Sequence, residues 1–218
     1  MKSSLATLLS SVLLSGCSVV GIRAGTEEPH YDVVQTLGAL EIRQYGPRLA
    51  AEVSVNGSEL SSRSEGFRRL AGFIFGANTG RGLIAMTAPV AQAAEGGAVA
   101  MTAPVVQDET APGQWRIRFF MPAQYTLGTL PRPSDPAVRI VEVPAQTFGV
   151  FRYAGSIAPA ATSEGRRELL RLLEGSGWSP AGAPLSWFYD PPWTLPFLRR
   201  NEAAVLVERP APGSLNRR

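Results

Sequence analysis

The chain has 218 residues, 44% of them hydrophobic and 18% charged, with a formal net charge of +3. This balance supplies enough apolar side chains to bury a core and excludes a chain kept disordered by low hydrophobicity and high charge. Lysine occurs only at Lys2, and the arginines are scattered rather than gathered in a stripe with interleaved aromatics, so no nucleic-acid partner is expected.

Residues 1–16 read as an export signal. Met1-Lys2 gives a positive start, Leu5 to Leu14 an apolar run too short to span a bilayer, and Leu14-Ser15-Gly16-Cys17 a small-residue cleavage site. That ending resembles the lipobox of bacterial lipoproteins. The resemblance implies cleavage before Cys17 and acylation, palmitate included, of its thiol and new amino group. Cys17 is the only cysteine, so no disulfide forms within the chain. With about 0.8 kcal/mol per buried methylene, several acyl chains give a firm membrane anchor. Ser18 in place of Asp implies, by the same resemblance, the periplasmic face of an outer membrane. Residues 17–29 lack periodicity and read as the lipidated tether, 30–208 as the folded domain and 209–218 as a disordered tail.

From Tyr31 onward, short β-like runs are punctuated by Gly and Pro: Tyr31–Gln35, Leu40–Tyr45, Leu49–Val55, Leu83–Val90, Val99–Val106, Trp115–Met121, Val138–Val143, Phe148–Tyr153, Leu185–Tyr189 and Ala203–Val207. Two segments have helical periodicity. Ser62–Phe75 places Phe67, Leu70, Ala71 and Ile74 on one face, and Ser163–Glu174 carries Leu169, Leu170, Leu172 and Leu173 before Gly175. The aromatic, Pro-rich "WFYDPPWTLPFLRRNE" reads as a covering segment. Its prolines forbid a continuous element, while Trp187, Phe188, Trp193 and Phe197 favour burial; a ligand lid or a membrane contact are the other readings.

The chain also repeats itself. "EIRQYGPRLAAEVSVNG" and "RIVEVPAQTFGVFRYAG" share the order strand, Pro-containing turn, strand, Gly, and each precedes a helix beginning Ser-Glu-Gly. Glu41 to Arg139 is 98 residues and Ser64 to Ser163 is 99, so the spacing is kept. This pattern predicts an α+β fold in which two β-β-α-β units form one distorted antiparallel barrel or sandwich with two flanking helices. A second repeat is shorter: Ala-Met-Thr-Ala-Pro-Val occurs at Ala85–Val90 and again at Ala100–Val105. Paired as a hairpin turning near Glu95-Gly96, the copies match Val90 with Met101. One face then carries Met86, Ala88, Val90, Met101, Ala103 and Val105, and the other carries the Thr and Pro residues.

The tandem motif, preceded by "EIRQYGP" and "FGAN" and followed by "WRIRFFMP", "LPRPSDPAVRI" and "FGVFRYAGS", resembles the SOUL family of haem-binding proteins from about Glu28 to Val207. The resemblance implies a duplicated, distorted barrel shared with gyrase-inhibitor-like effector-binding domains. It also implies non-covalent, non-catalytic binding of haem or another tetrapyrrole in a groove beside the first helix. Some members carry a histidine in the "EIRxYGP" segment where this chain has Gln44, which points to hydrophobic capture without strong axial ligation. His30, the only histidine, sits at the junction of tether and domain. On the first helix, the strip opposite the expected core face holds Arg68, Arg69, Gly72 and Gly76, flanked by Phe73 and Phe75. A planar ligand can lie on Gly72 while an arginine meets its carboxylates; close packing of another strand over Gly72 is the alternative. Met86 and Met101 are candidate ligand contacts, and equally core filler. No catalytic nucleophile, histidine base, phosphate loop or metal cluster is legible, so no enzyme is expected. Competing readings are a binding module for another hydrophobic or cationic molecule, with Glu52 as the strand carboxylate, and a structural envelope lipoprotein.

Overall fold

The computed structural model describes residues 26–94 and 113–209. Its strands are β1 (Tyr31–Leu37), β2 (Leu40–Tyr45), β3 (Arg48–Asn56), β4 (Val90–Ala94), β5 (Gln114–Phe120), β6 (Arg139–Val143), β7 (Gln146–Tyr153), β8 (Ser179–Pro180), β9 (Leu185–Phe188) and β10 (Asn201–Glu208). Helix α1 (Glu59–Ile74) lies between β3 and β4, and α2 (Pro159–Leu173) between β7 and β8. The signal segment with Cys17, and the second Ala-Met-Thr-Ala-Pro-Val copy with Met101, lie outside the described residues. Among those described, no helix is long and apolar enough to cross a membrane.

The antiparallel sheet curls into a half-barrel with the order β1-β2-β7-β10-β9-β4-β5-β3-β6, β8 pairing off this path with β10. From the centre outward the order is β9-β10-β7-β2 on one side and β4-β5-β3-β6 on the other, so the predicted duplication is present as two halves joined along β4 and β9. The strands flanking each Pro-containing turn do not pair with each other. β2 pairs with β7 and β6 with β3, so each half takes its outer strand from the other repeat. This exchange interlocks the repeats and makes the fold depend on contacts far apart in sequence.

Side-chain alternation sorts the core into two faces. Ala51, Val53, Ile117, Phe119, Ala203 and Val205 point to the helices, joined by Leu70, Phe73 and Ile74 of α1 and Leu169 and Leu173 of α2. Ala50, Phe120, Phe148, Val150, Trp187 and Ala204 point to the helix-free face, where a second apolar cluster also contains Tyr45 and Tyr189.

Both helices begin earlier than their periodicity implied. Ser58 caps α1 by accepting a hydrogen bond from Ser61 N at 3.2 Å, and Pro159 opens α2. The core face of α1 is also rotated from the expected one. Leu70 and Ile74 are buried, but Gly66 and Phe73 join them, while Phe67 and Ala71 are only half-buried. The cause is Gly66, where an added Cβ would meet Ile117 at 2.7 Å; the repeat-related Gly165 would place one 2.6 Å from the Tyr153 ring. The shared Ser-Glu-Gly therefore marks where each helix seats on the sheet. At Gly72 a Cβ would meet nothing within 4 Å, so the close packing considered for that position is absent. Ala at position 66 or 165 is expected to cost a net of about 1–2 kcal/mol, overpacking outweighing the helix propensity gained. Ala at position 72 is expected to add about 0.5–1 kcal/mol. Urea denaturation of the three single variants checks this, and equal stability of Gly66→Ala and Gly72→Ala would contradict it.

A buried polar network ties the halves together. Glu59, at the start of α1, accepts from Arg63 Nη2 at 3.0 Å, Thr162 Oγ1 at 2.7 Å and Arg166 Nη2 at 3.2 Å. Arg63 also donates to Gln92 Oε1 of β4 at 2.6 Å and Ile157 O at 2.6 Å, and lies 4.1 Å from the Phe188 ring of β9.

The expected strand Leu83–Val90 is replaced by an irregular segment that becomes β4 only at Val90. Pro89 has no N–H for a ladder, and the Thr87 hydroxyl donates instead to the Phe120 carbonyl. Ala88 and Val90 of the predicted apolar face are buried, but Met86 is 39% exposed and Thr87, from the opposite face, is buried with them. Val90 is paired on one side to Phe119 and on the other to Phe188; Met101, its expected partner, lies outside the described residues.

Candidate functional site

The sequence-derived candidates on α1 form an exposed strip. Arg68 is exposed and held to Glu65 at 2.7 Å; Arg69 reaches Glu65 at 2.6 Å and Asp135 at 3.0 Å. Hydrogen bonds from Arg68 and then Arg69 hold the Glu65 carboxyl below its ordinary range. One turn on, Gly72 leaves open backbone, and Phe75, the C-cap, is 63% exposed. Gly76 takes φ +110°, which ends the helix, and Ile84 N donates to Ile74 O at 2.9 Å, bringing the following segment back beside the helix end. That segment presents Leu83, 76% exposed, and leads to Met86. Asn78 fixes the return by donating to the Phe73 and Gly82 carbonyls at 3.0 and 2.8 Å and accepting from Gly80 and Gly82 N–H. Arg68, Gly72, Phe75 and Leu83 are thus collected at one end of α1. Phe73, expected to flank the strip, is buried in the core.

For a tetrapyrrole the chemical requirements are an apolar surface and cations for its carboxylates, with an iron ligand optional. The strip meets the first two. His30 and Gln44 are exposed on the N-terminal strand region, away from α1 in the chain order, and among the described residues no three His, Cys, Asp or Glu side chains cluster to hold a metal ion.

The helix-free face is lined differently. Tyr45, Phe148 and Trp187 meet edge to face or tilted, with centroids 5.1–5.9 Å apart. Beside them a shallow depression lies against Arg48 and encloses no space large enough for a water molecule. The carboxylates on this face are already engaged. Glu52, the candidate for a cationic ligand, is held by Arg118 at 2.6 Å and Arg139 at 3.2 Å. Glu202 of β10 is fully buried and accepts from Arg43 at 2.8 Å, Tyr189 at 2.8 Å and Arg200 at 3.0 Å. The sequence singles out Glu52 as the strand carboxylate and passes over Glu202; Arg200 and Glu202 belong to this buried network, and Asn201 donates to Gly155 O at 3.3 Å. The pairing of Arg200 two residues before a Glu in the alternating strand "NEAAVLVE" was the available signal.

The Pro-rich segment after β9 covers less than expected. Trp187, Phe188 and Tyr189 are buried, but Trp193 and Phe197 are 63% and 71% exposed. Arg199 holds the loop from within, donating to the Thr194 and Pro192 carbonyls at 2.7 and 2.6 Å, and this turns the apolar side chains outward.

Comparison with known proteins agrees with this architecture. The C-terminal domain of EcmrR, a crystal structure, superposes with a TM-score of 0.53 at 12% identity, covering 83% of this chain and 99% of that one. EcmrR in a cryo-EM complex with DNA gives 0.54 at 13% identity, covering 95% and 67%. A hydrolase from Listeria innocua gives 0.49 at 11% identity over 80% and 94%, too distant to bear on chemistry. No curated protein matches the sequence. The likenesses to EcmrR establish the fold alone. The sequence profile of the SOUL heme-binding protein family, however, matches residues 26–206, nearly the whole described domain, and the chain belongs to that family.

Proposed function

We propose that this protein is a lipid-anchored, non-catalytic binder of haem or a related tetrapyrrole, held to the periplasmic face of the outer membrane through acylated Cys17. The observation that carries the binding reading is the strip at the end of α1, where Gly72 leaves open backbone between an exposed cation, Arg68, and exposed Phe75 and Leu83. The ring would lie on Gly72, Phe75 and Leu83, and its carboxylates would draw Arg68 or Arg69 from Glu65. Met86 stands close in sequence as a further apolar contact. A bound haem would supply iron and its redox and gas-binding chemistry; the chain's own part is to hold the ring and orient its carboxylates.

Hemin titration followed at the Soret band tests this reading. Saturation at one equivalent, with affinity at least tenfold lower in Gly72→Leu/Arg68→Ala, is the expected result; unaltered affinity in the double variant would remove the site.

Membrane attachment has its own support. The tether root Glu28 is bound to Arg200 at 3.0 Å, directly after the loop that exposes Trp193, Leu195, Phe197 and Leu198. An anchor at Cys17 would hold that apolar loop close to a bilayer surface. Cys17→Ser is expected to move the protein from the membrane fraction to the soluble one, and continued sedimentation with membranes would count against the anchor.

A further inference from the structure

The loop between β9 and β10 holds apolar side chains outward in a braced geometry. Pro192, Trp193, Leu195, Pro196, Phe197 and Leu198 are all exposed, Thr194 among them is buried, and residues 191–198 contain no charged side chain. Arg199 donates to the Thr194 and Pro192 carbonyls. Thr194 N donates to Pro191 O at 3.1 Å, Leu198 N to Leu195 O at 2.9 Å, and Gly155 N, from the segment after β7, to Pro196 O at 2.9 Å. The base is closed by Tyr189 N on Arg200 O at 3.3 Å and by Arg200 N on Asp190 Oδ2 at 2.6 Å. The carbonyls of Pro191, Pro192, Thr194, Leu195 and Pro196 are therefore met within the protein, and the three prolines carry no N–H. Unmet backbone groups are a main cost of moving a loop out of water, and this loop has already met much of that requirement internally.

The chain's own attachment selects the occupant of this surface. Glu28 is bound to Arg200 at the base of the loop, and Glu27 fastens the same root, its carbonyl accepting from Ala88 N at 2.9 Å and its carboxylate from Ala123 N at 2.7 Å. Cys17 stands 11 residues before Glu28. That length spans at most about 40 Å, so a bilayer holding an acylated Cys17 stays within reach of the loop, at an effective concentration that a free partner lacks. Tryptophan with flanking apolar residues is the composition that settles at the lipid–water boundary. We propose that residues 191–198 insert into the interface of the membrane that carries Cys17, as a second point of attachment that fixes how the domain sits on the bilayer. This rests on the lipid-anchor reading and extends it, since an acyl chain on a tether by itself leaves the domain free to turn.

The lipidated full chain, reconstituted into phosphatidylcholine vesicles with bromine on the acyl chains near the headgroup, tests the proposal through tryptophan emission. Relative to vesicles without bromine, wild type should be quenched, and Trp193→Leu should lose most of that quenching. Trp187 is buried, Trp115 and Trp178 are half-buried, and none of the three belongs to the loop. Phe197→Ser keeps the fluorophore and should weaken the quenching while still floating with the vesicles through Cys17. Both substituted side chains are exposed, so unchanged melting temperatures are expected for the two variants. Flotation of the wild type without quenching, or equal quenching of wild type and Trp193→Leu, would overturn the insertion and leave the anchor standing. Absent quenching with a concentration-dependent dimer that Phe197→Ser abolishes would assign the loop to a second copy of the chain and likewise overturn it. A wild type that does not float at all would remove the anchor, and the insertion with it.

Discussion

Glu59→Ala is expected to lower the unfolding free energy by about 3–5 kcal/mol, because it leaves two largely buried guanidiniums, Arg63 and Arg166, without their shared carboxylate. The loss is not confined to one contact. Glu59 joins α1 to Thr162 and Arg166 of α2, while Arg63 joins α1 to Gln92 of β4 and the Ile157 carbonyl, so one carboxylate secures both helices across the seam of the halves. Glu59→Gln, which keeps the shape and one acceptor, should cost less. The triple variant Glu59→Ala/Arg63→Met/Arg166→Met should recover most of the loss, since removing all the charges together leaves none uncompensated. Urea denaturation with matched slopes measures each. A loss below about 1 kcal/mol for Glu59→Ala would mean that water already satisfies the arginines. Because α1 carries the exposed Arg68, Gly72 and Phe75, loosening its first turn should also weaken hemin binding without touching the strip.

What could be read from the sequence and what could not divide along physical lines. Strand positions, both helices and the duplication follow from local pattern, and the repeat spacing was enough to predict a pseudo-symmetric sheet. The exchange of β2 and β6 between halves was not legible, because strand partnership is set by contacts about a hundred residues apart and the local pattern of β2 is the same whether it pairs with β3 or β7. The motif segment Leu83–Val90 alternates like a strand, but Pro89 lacks a ladder N–H and the Thr87 hydroxyl anchors the segment to the Phe120 carbonyl instead. Arg43, Glu59, Arg63 and Glu202 were passed over because charged residues usually face solvent, and only paired geometry makes their burial tolerable. Trp193 and Phe197 show the converse error: aromatic character argued for burial, but backbone carbonyls captured by Arg199 turn the loop outward. On α1 the strip of Arg68 and Gly72 was legible from helical spacing alone, while the contribution of Leu83 required the return of the chain fixed by Asn78.

Glu202→Ala carries the second large expected loss, again about 3–5 kcal/mol, for a carboxylate with no exposed surface whose removal strands Arg43 and deprives Arg200 and Tyr189 of an acceptor. Arg43 would retain only Glu41, at 2.7 Å, and Arg200 only Glu28. The conservative Glu202→Gln variant gives a second, independent readout. Burial first, and then the negative charge of Glu202, raise the Tyr189 phenol well above its ordinary pKa. Neutralising that charge removes one raising influence, so tyrosinate absorbance in Glu202→Gln should appear at lower pH than in wild type. The linkage sign follows: a phenol whose folded pKa is raised adds stability that is complete below its unfolded pKa and lost as pH rises through the folded one. The loss begins at the unfolded pKa in both proteins, so Glu202→Gln, with the lower folded pKa, should complete its loss at lower alkaline pH and lose less through Tyr189 than wild type. An unmoved tyrosinate titration together with a stability loss below about 1 kcal/mol would show that β10 is held by its ladder alone and that Glu202 contributes nothing to it.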